Sequence, residues 1–357
     1  MKKNRYFLIV VIFLVLIVTV LLLTNSTTTF KRSLSDFAVD DTSNITTLFM
    51  SDKNNNTLKM TRTLPGNKWI INDKYPGQKF NIDMLLETML NLKVKAPVPL
   101  AARNNIIKEL SVNSVKVEIY QWVHRIDFLG IRLFPHEKLT KVYYVGGATQ
   151  NNLGTFMLMQ HSSDPYVTYL PGLRGFVSPR YMPIEKYWRD YTVFKKNVHE
   201  IASIKVEFPA FPEQSFIVRN IHDRSLELVS ITDKKKIDNF DTLKLMNFLS
   251  AFRNINFEAL LNDMDKHLKD SILSSIPFTI ITLTDTNGIV RTIKTFHKQG
   301  ADGETDYKGK PVPYDLDRAY ALVNDGNDFT LIQFFVFDRI LKPMKYFIKG
   351  YSEELQY

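Results

Sequence analysis

The chain contains no cysteine among its 357 residues. This absence excludes disulfide bonds, thiol nucleophiles and cysteine-ligated zinc, and it also excludes the lipidated N-terminal cysteine of a bacterial lipoprotein. Hydrophobic residues make up 45% of the chain and charged residues 23%, which excludes a disordered or fibrous protein. A chain of this length has room for about two to three domains.

Dense basic segments are also absent. The net charge is +9, and five cations lie close to the N-terminus, so nine minus five leaves +4 on the rest of the chain. The longest basic run, 234–236, is flanked by Asp233 and Asp238 and is typical of a solvated turn. We therefore expect no nucleic-acid partner.

Recognisable catalytic and metal-binding motifs are missing as well. None of the seven histidines has another histidine four residues away, so no helical metal pair is predicted. The segment with Gly146, Gly147 and Gly154 fits neither of the phosphate-binding patterns GxGxxG and GxxxxGK(S/T). A hairpin loop is the better interpretation. The acidic segments 302–306 and 324–328 lack the closing glutamate of a calcium loop and predict turns. We expect no metal, no cofactor and no enzymatic activity, and a hydrolase with dispersed catalytic residues is an open alternative.

A long apolar run extends from Tyr6 to Leu23. As a helix it would be about 27 Å long, close to the thickness of a bilayer core. The cations that precede it favour a cytoplasmic N-terminus. A cleaved signal peptide is the alternative, but its core is usually only ~7–15 residues long and is followed by an Ala-x-Ala-like site. We therefore expect an uncleaved anchor in the bacterial inner membrane, with the bulk of the chain in the periplasm.

Alternating apolar residues and turn formers after this run predict short strands. A helix is predicted from Asn81, its expected N-cap, to about Lys93, and a shorter helix over 101–110. The strands predicted in this half are 45–51, 58–63, 68–71, 115–120, 141–147, 155–160 and 166–170.

The second half of the sequence repeats this order. Ile45 matches Ile201 at an offset of 156, Leu85 matches Leu245 at 160, and Val115 matches Phe278 at 163. A helix is predicted from about Asp241 and another over 257–273. The strands predicted in this half are 201–208, 215–220, 225–231, 278–285, 290–296 and 328–337.

The small, steady drift of the offsets indicates a tandem duplication, although a chance alternation of hairpins and helices is the alternative. The predicted fold class is α+β: a single N-terminal transmembrane helix followed by two tandem repeats, each an antiparallel sheet with helices. The predicted boundaries are 1–30 for the cytoplasmic tip and membrane helix, 31–44 for a stalk, and 45–195 and 196–357 for the two repeats.

Aromatic and arginine side chains are concentrated between residues 165 and 194. Such groups suit a glycan-binding or protein-binding surface. They also suit an interface between the two repeats, where Arg189 and Asp190 would pair across the junction, and we favour this second interpretation. The candidate residues are Arg174, Arg180, Tyr181, Trp188, Arg189 and Asp190.

Four stretches, 85–110, 143–159, 165–181 and 188–194, resemble the family catalogued as domain of unknown function 4340, in its stand-alone membrane-anchored form. They cover much of residues 36–195, and the second half is similar to the family only in pattern. The resemblance implies an N-terminal anchor, an exported α+β domain and an accessory role beside a gliding-type ABC transporter. It implies no catalytic residues, because none are assigned to the family.

We therefore expect a non-enzymatic, membrane-anchored envelope protein that is an accessory or scaffold to another envelope complex, such as an ABC-type transport system. Its partners would be the lipid bilayer, through Tyr6 to Leu23, and a protein of the envelope. The alternative is a module that binds glycan or cell wall through residues 165–194.

Overall fold

The computed structural model describes residues 11–15, 17–18, 36–63, 67–128, 131–221, 225–301, 303, 305 and 309–351. The chain divides into two compact units, Met1–Asp190 and Tyr191–Tyr357. Each unit is built around one large antiparallel sheet with few helices. The fold class is therefore α+β, as the sequence predicts.

The first unit forms nine strands and two α-helices within the described residues from 36 to 190. In chain order they are β1 (Ile45–Ser51), β2 (Thr57–Thr63), β3 (Lys68–Ile71), β4 (Tyr75–Pro76), α1 (Lys79–Asn91), β5 (Lys93–Pro97), α2 (Leu100–Asn113), β6 (Val115–Phe128), β7 (Ile131–Ala148), β8 (Thr155–Met159) and β9 (Tyr166–Tyr169). The strand order in the sheet is β4-β3-β2-β1-β6-β7-β8-β9-β5.

The second unit contains a sheet of the same size. Its elements are β10 (Thr192–Phe194), β11 (Ile201–Glu207), β12 (Phe216–Ile221), β13 (Ser225–Ser230), β14 (Lys236–Ile237), α3 (Thr242–Ala251), β15 (Ile255–Asn256), β16 (Ala259–Leu260), α4 (Lys266–Ser274), β17 (Thr279–Asp285), β18 (Val290–Gln299), β19 (Tyr314–Val323), β20 (Asp328–Gln333) and α5 (Phe334–Phe337). The order in the large sheet is β14-β13-β12-β11-β17-β18-β19-β20-β16, and β10 pairs separately with β15.

The two large sheets have the same topology, strand for strand. The strands β1 and β11 are both seven residues long and have the same pattern of buried and half-buried positions. Both also shift register near their first residue, β1 against β6 between Ile45 and Thr47, and β11 against β17 between Ile201 and Ser203. The same irregularity at the same place in two sheets indicates an internal duplication.

Strand pairing gives the offsets between equivalent residues. Leu48 lies opposite Ile119 in the first unit, and Ile204 lies opposite Leu283 in the second. The offset is therefore 156 for β1, as predicted, and 164 for β6. The predicted offset of 163 for β6 is wrong by one residue, and such a slip would exchange the buried and exposed faces of the strand.

The helices α1 and α3 cover one face of their sheets. The structure corrects the predicted N-cap: α1 begins at Lys79, and Gln78 accepts a hydrogen bond from the backbone N–H of Asn81 at 2.9 Å. Equivalent hydrogen bonds run from Val39 N to Met89 O and from Lys196 N to Phe252 O, both at 2.9 Å. The helix offset is therefore 163, because Met89 corresponds to Phe252, and the predicted value of 160 is wrong.

Two further predictions for the second half differ from the structure. The predicted helix over 257–273 is a strand in its first part, β16, and the helix α4 starts only at Lys266. The predicted strand 328–337 ends at Gln333, where α5 begins. In each case the predicted single element is two elements, because alternation and helical spacing cannot be separated over so few residues.

The structure also places the domain boundaries differently. Phe37 and Val39, in the predicted stalk, are each 1% exposed and belong to the first core. The boundary between the units lies after Asp190 instead of after residue 195, because β10 pairs with β15 of the second unit.

Most of the predicted membrane segment lies outside the described residues. Its described parts, 11–15 and 17–18, are helical and exposed. Within the described part of the chain, no helix is both long and apolar enough to cross a membrane.

Candidate binding surface

Three of the six aromatic residues of segment 165–190, Tyr166, Tyr181 and Trp188, are buried in the first unit. Trp188 is 4% exposed and donates a hydrogen bond from its indole nitrogen to Met182 O at 2.7 Å. Tyr181 is fully buried against Tyr143, with the two rings edge to face and their centroids 6.2 Å apart. Burial raises the pKa of Tyr181 to about 12. These rings belong to the core of the first unit.

The charged candidate residues differ in their surroundings. Arg189 is 4% exposed, with its guanidinium 3.5 Å from the centre of the Tyr75 ring and an Nη1 atom 3.8 Å from Glu185. Asp190 is exposed, and its backbone N–H donates to Pro76 O at 2.8 Å. Arg174 is also exposed, on the turn after β9. The named contacts of Arg189 and Asp190 lie within the first unit.

We call the last residues of each repeat, which include Trp188 and Arg189 in the first unit and Phe347 and Ile348 in the second, the closing segment. Trp188 O accepts a hydrogen bond from Gln78 N, and Phe347 O accepts one from Asp241 N, both at 2.7 Å. The bridge between Gly77 and Arg189 likewise corresponds to the bridge between Phe240 and Ile348. A buried aromatic end to the repeat is therefore a property of the fold, which accounts for much of the aromatic content of this segment.

Arg180 and Trp188 meet at a cleft of about 400 Å³ beside α1. Met84, Met182 and Tyr187 also line it. Arg180 donates a hydrogen bond to the buried hydroxyl of Thr88 at 2.7 Å, which fixes the guanidinium at the wall of the cleft. The structure thus brings two of the six candidate residues to one cavity.

A larger cleft, of about 700 Å³, lies on the face of the first sheet that points away from α1. Leu48 and Met50 of β1 point into the core. Successive side chains of a strand point to opposite faces, so Thr47 and Phe49 point to the other face of the sheet. We call this cavity the outer-face cleft. It is lined by the rings of Phe49, Tyr120 and Trp122 and by Thr46, Thr47, Lys59, Thr61, Arg62, Glu118 and Glu137.

The two carboxylates of the outer-face cleft are held by hydrogen bonds. Glu118 accepts from Lys116 at 2.6 Å and from the Tyr120 hydroxyl at 2.9 Å. Burial alone would raise the pKa of Glu118, but these hydrogen bonds outweigh it, so the pKa lies below its usual value and the group is ionised at neutral pH. Glu137 accepts hydrogen bonds from the hydroxyls of Thr46 and Thr47.

The two cations of the outer-face cleft are also engaged. Lys59 pairs with Asp73 at 2.9 Å. The Arg62 guanidinium lies 4.7 Å from the centre of the Trp69 ring and donates to Thr42 O at 3.0 Å. Since the lining contains two cations and two carboxylates, its formal charges cancel. Aromatic faces with hydroxyls and no net charge suit a polar, uncharged ligand or a protein surface.

A long hairpin extends from the edge of this cleft. β1 ends its pairing with β6 at Gln121, whereas β6 and β7 remain paired as far as Phe128 and Ile131. One face of β6 carries every second residue, namely Tyr120, Trp122, His124 and Ile126. Leu133 of β7 lies opposite Ile126. We call the residues 121–139 the long hairpin. Among its described side chains, the exposed large hydrophobic ones are Trp122, Ile126, Leu133, Phe134 and Leu139, each between 41% and 64% exposed.

The second unit has different residues at the equivalent positions. Phe49 corresponds to Lys205, Tyr120 to Thr284 and Lys59 to Ile217. The hairpin of β17 and β18 turns at residues 286–289, immediately after Asp285, which corresponds to Gln121. The aromatic cleft and the long hairpin are therefore features of the first repeat that the shared fold does not require.

The remaining sequence motifs occupy ordinary positions. Gly146 and Gly147 lie within β7 instead of in the predicted loop. Asn324 and Asp328 share a turn, joined by a hydrogen bond of 2.7 Å between their side chains, and residues 302, 304 and 306 lie outside the described residues. Among the described residues, no group of three or more histidine, aspartate and glutamate side chains could hold a metal ion.

Compared with known proteins, the chain matches no family model, no curated protein and no solved structure. The resemblance of residues 36–195 to domain of unknown function 4340 therefore stays a prediction.

Proposed function

We propose that this chain is a membrane-anchored accessory protein that binds another component of a bacterial envelope complex through the outer face of its first unit. The observation that carries the proposal is the outer-face cleft with the rings of Phe49, Tyr120 and Trp122. These rings remain accessible although the fold has a buried face available to them. Accessible aromatic residues grouped at one cavity are characteristic of binding surfaces.

The proposed anchor is the apolar run from Tyr6 to Leu23. Its described side chains are exposed, from 39% at Ile17 to 64% at Phe13, so this helix buries its apolar surface little against the folded unit. Exposed apolar side chains on a helix favour insertion into lipid. The cytoplasmic orientation of the N-terminus and the periplasmic location of both units follow from the preceding cations.

The second unit supplies the variant that tests the binding surface. Phe49→Lys with Tyr120→Thr gives the first unit the residues that the second unit has at these positions, so the sheet should accept them. After solubilisation of membranes in mild detergent, we expect the tagged full chain to retain a stoichiometric protein partner and this double variant to lose it. Lys205→Ala is the matched control and should retain the partner. Recovery of the full chain alone would contradict the accessory role.

A second candidate function is the binding of a cell-wall glycan in the same cleft. Aromatic rings beside hydroxyls and carboxylates suit the apolar faces and hydroxyl groups of sugars. The surface predicted for this role, 165–194, is a poor site, because Tyr181 and Trp188 are buried. The outer-face cleft offers accessible rings instead.

Cosedimentation with purified cell wall tests the glycan candidate. We expect the full chain to sediment with the wall if a glycan is the ligand, and the double variant at Phe49 and Tyr120 to remain in the supernatant. Lys205→Ala should again behave as the unchanged protein. Trp188→Ala does not test the surface, because removal of this buried ring would disturb the core. No sedimentation of the unchanged protein would remove this candidate.

A further inference from the structure

The cleft of about 400 Å³ beside α1 shares no lining residue with the outer-face cleft. We call it the α1 cleft. Most of its wall consists of apolar and aromatic side chains, which are those of Met84, Pro179, Met182, Tyr187 and Trp188. A cavity of this size, with apolar walls and a few polar groups, is typical of a site for a small molecule.

Arg180 carries the only charge among the described residues that line the α1 cleft. Its side chain is half-buried, and the Nη1 atom donates a hydrogen bond to the hydroxyl of Thr88 at 2.7 Å. Thr88 is fully buried and in turn donates to Met84 O at 2.7 Å, so the acceptor of Arg180 is itself held in place. The guanidinium is therefore fixed at the wall of the cleft by a neutral partner.

The charge of Arg180 has no acidic partner in the part of the chain that the structure describes. No carboxylate oxygen there lies within 4.0 Å of the guanidinium. Because Nη1 is engaged by Thr88, the edge formed by Nε and Nη2 is left without an acceptor among the described residues. A guanidinium edge of this kind binds a carboxylate through two parallel hydrogen bonds. The α1 cleft therefore offers a site for one anionic group.

The second unit shows that the shared fold does not require the residues of this cleft. The helix offset of 163 places Ala251 at the position of Thr88 and Asn247 at the position of Met84. The second unit thus has neither the hydroxyl that orients the arginine nor the methionine of the wall. Both are features of the first repeat alone.

The cation at the corresponding end of α3 is enclosed by its own chain. Asn81 of α1 donates from its side-chain amide to Tyr187 O at 2.7 Å. Lys244, at the equivalent position of α3, donates to Tyr346 O at 3.2 Å and to Tyr351 O at 2.7 Å. Its ammonium group also lies 4.8 Å from the centre of the Tyr346 ring. The arginine of the α1 cleft has no such enclosure among the described residues.

We propose that the α1 cleft binds a small ionised carboxylic acid with an apolar body. The carboxylate accepts two hydrogen bonds from Nε and Nη2 of Arg180, and the apolar body lies against Met84, Met182 and the Trp188 ring. The flexible thioether side chains adapt to apolar groups of different shape, so the cleft selects its ligand more by charge than by outline. This site goes beyond the proposed function and depends neither on the anchor nor on a protein partner.

A phosphate ester is the other anionic ligand that an arginine could bind. At neutral pH a phosphate monoester carries nearly two negative charges and three acceptor oxygens. The described lining of the α1 cleft supplies one cation with one open edge. A carboxylate matches both the charge and the two donors, and it is therefore the favoured group.

Isothermal titration calorimetry of the purified full chain in a neutral detergent tests this site. The probes are octanoate, phenylpropanoate and naphthoate, each compared with the alcohol that has the same carbon skeleton, and titration into detergent alone gives the background. We expect at least one carboxylate to bind as one molecule per chain. Its alcohol should bind at least about tenfold more weakly, because it cannot pair with the guanidinium. Octyl phosphate should bind more weakly than octanoate.

Three variants test the roles of the residues. Arg180→Gln should weaken the binding of the carboxylate at least about tenfold and leave the binding of the alcohol unchanged. Thr88→Ala introduces the residue of the second unit. Because Thr88 is a positioning residue that holds the guanidinium, this change should reduce the preference for the carboxylate over the alcohol. Arg174→Gln, at an exposed arginine outside the lining, is the matched control and should bind like the unchanged protein.

Several results would overturn the proposal. They are the failure of all three carboxylates to bind, equal binding of each acid and its alcohol, and unchanged binding of the carboxylate by Arg180→Gln. Tighter binding of octyl phosphate than of octanoate would assign the site to a phosphate ester instead. The comparison of acid and alcohol uses the unchanged protein, so it decides the proposal even if a variant does not fold.

Discussion

Individual residues reveal their roles when the two repeats are compared. The buried Arg189 and the half-buried Tyr75 form a cation–π pair in the first unit, with the guanidinium 3.5 Å from the ring centre. Pairing places Ile348 and Ile237 at the corresponding positions of the second unit. The same fold therefore has a cation and an aromatic ring at these two positions in one repeat and two isoleucines in the other.

Replacing Arg189 alone should destabilise the first unit. Arg189→Ala removes the cation–π contact and leaves a cavity at a position that is 4% exposed, so we expect a loss of about 2 kcal/mol in the free energy of unfolding. Arg174→Ala, at an exposed arginine of the same segment, should change it by less than about 0.5 kcal/mol. Denaturant titration of the full chain measures both.

The double variant Tyr75→Ile with Arg189→Ile should recover much of that loss, because the second unit has isoleucine at both positions. A double variant as unstable as Arg189→Ala would show that the two closing segments are not equivalent in packing.

Single elements are joined by close contacts that the duplication does not predict. In the first unit, α2 packs so closely on β7 that a Cβ at Gly146 would collide with the side chain of Leu110 and lie 3.1 Å from Phe156 O. A Cβ at the adjacent Gly147 would meet only Glu109 Oε1, at 2.8 Å, the end of an exposed, flexible side chain. Space, and not loop conformation, is the reason for glycine at position 146.

The two glycines should therefore respond differently to the same change. We expect Gly146→Ala to cost about 1–3 kcal/mol in the free energy of unfolding, because the helix must move away from the strand. Gly147→Ala should be tolerated, because Glu109 can turn aside. Thermal and denaturant unfolding of the two variants tests this, and an equal effect of both would contradict the close packing of α2.

The turn between β17 and β18 depends on one carboxylate. Asp285, with its side chain 1% exposed, accepts a hydrogen bond from Lys196 at 2.6 Å and from the backbone N–H groups of Asn287 and Ile289 at 2.9 Å each. The hydrogen bond from Lys196 is the main reason that the pKa of Asp285 lies below its usual value of 3.8. Its counterpart in the first unit is the uncharged Gln121.

The stability of the second unit should consequently depend on this group in acid. A depressed carboxyl pKa contributes stability above the unfolded value of 3.8, and the contribution is lost as the pH falls through the folded pKa. We expect Asp285→Asn to be less stable than the unchanged protein at neutral pH and to lose less stability on acidification below pH 3.8. Urea denaturation followed against pH measures this difference. Parallel curves for the two proteins would refute the role of Asp285.

At the scale of the whole molecule, the two units differ most in what they expose. Their sheets share one topology, and their cores have matching positions, such as Leu58 with Phe216 and Met60 with Val218, all fully buried. The first unit adds the outer-face cleft and the long hairpin. The second unit has a compact turn at the corresponding place.

The position of the boundary predicts which fragment of the chain folds. A fragment 191–357 retains β10, in which Val193 and Phe194 are 3% and 1% exposed, whereas a fragment that starts at the predicted boundary, residue 196, lacks both. We expect 191–357 to unfold cooperatively. We expect 196–357 to be less stable by at least about 3 kcal/mol, because removal of one large buried side chain alone costs that much. Circular dichroism of both fragments during denaturation tests this, and equal stability would contradict the boundary after Asp190.

The amino-acid sequence by itself determined the fold class, the presence of two repeats and the strands with strict alternation. β1 and β11 are examples. A half-buried strand places every second residue in the core, so the alternation of apolar and polar residues in its own sequence reveals which residues are buried. The anchor from Tyr6 to Leu23 remains a prediction from the sequence.

Only the tertiary structure decided which aromatic residues are accessible. Trp188 and Trp122 each have an arginine within three residues along the chain, yet Trp188 is 4% exposed and Trp122 is 42% exposed. The long hairpin escaped prediction because its exposed faces mix apolar and charged residues, so no core-facing alternation marks it. Burial and accessibility depend on contacts with elements that are far apart in the chain. Local periodicity of the sequence does not indicate these contacts.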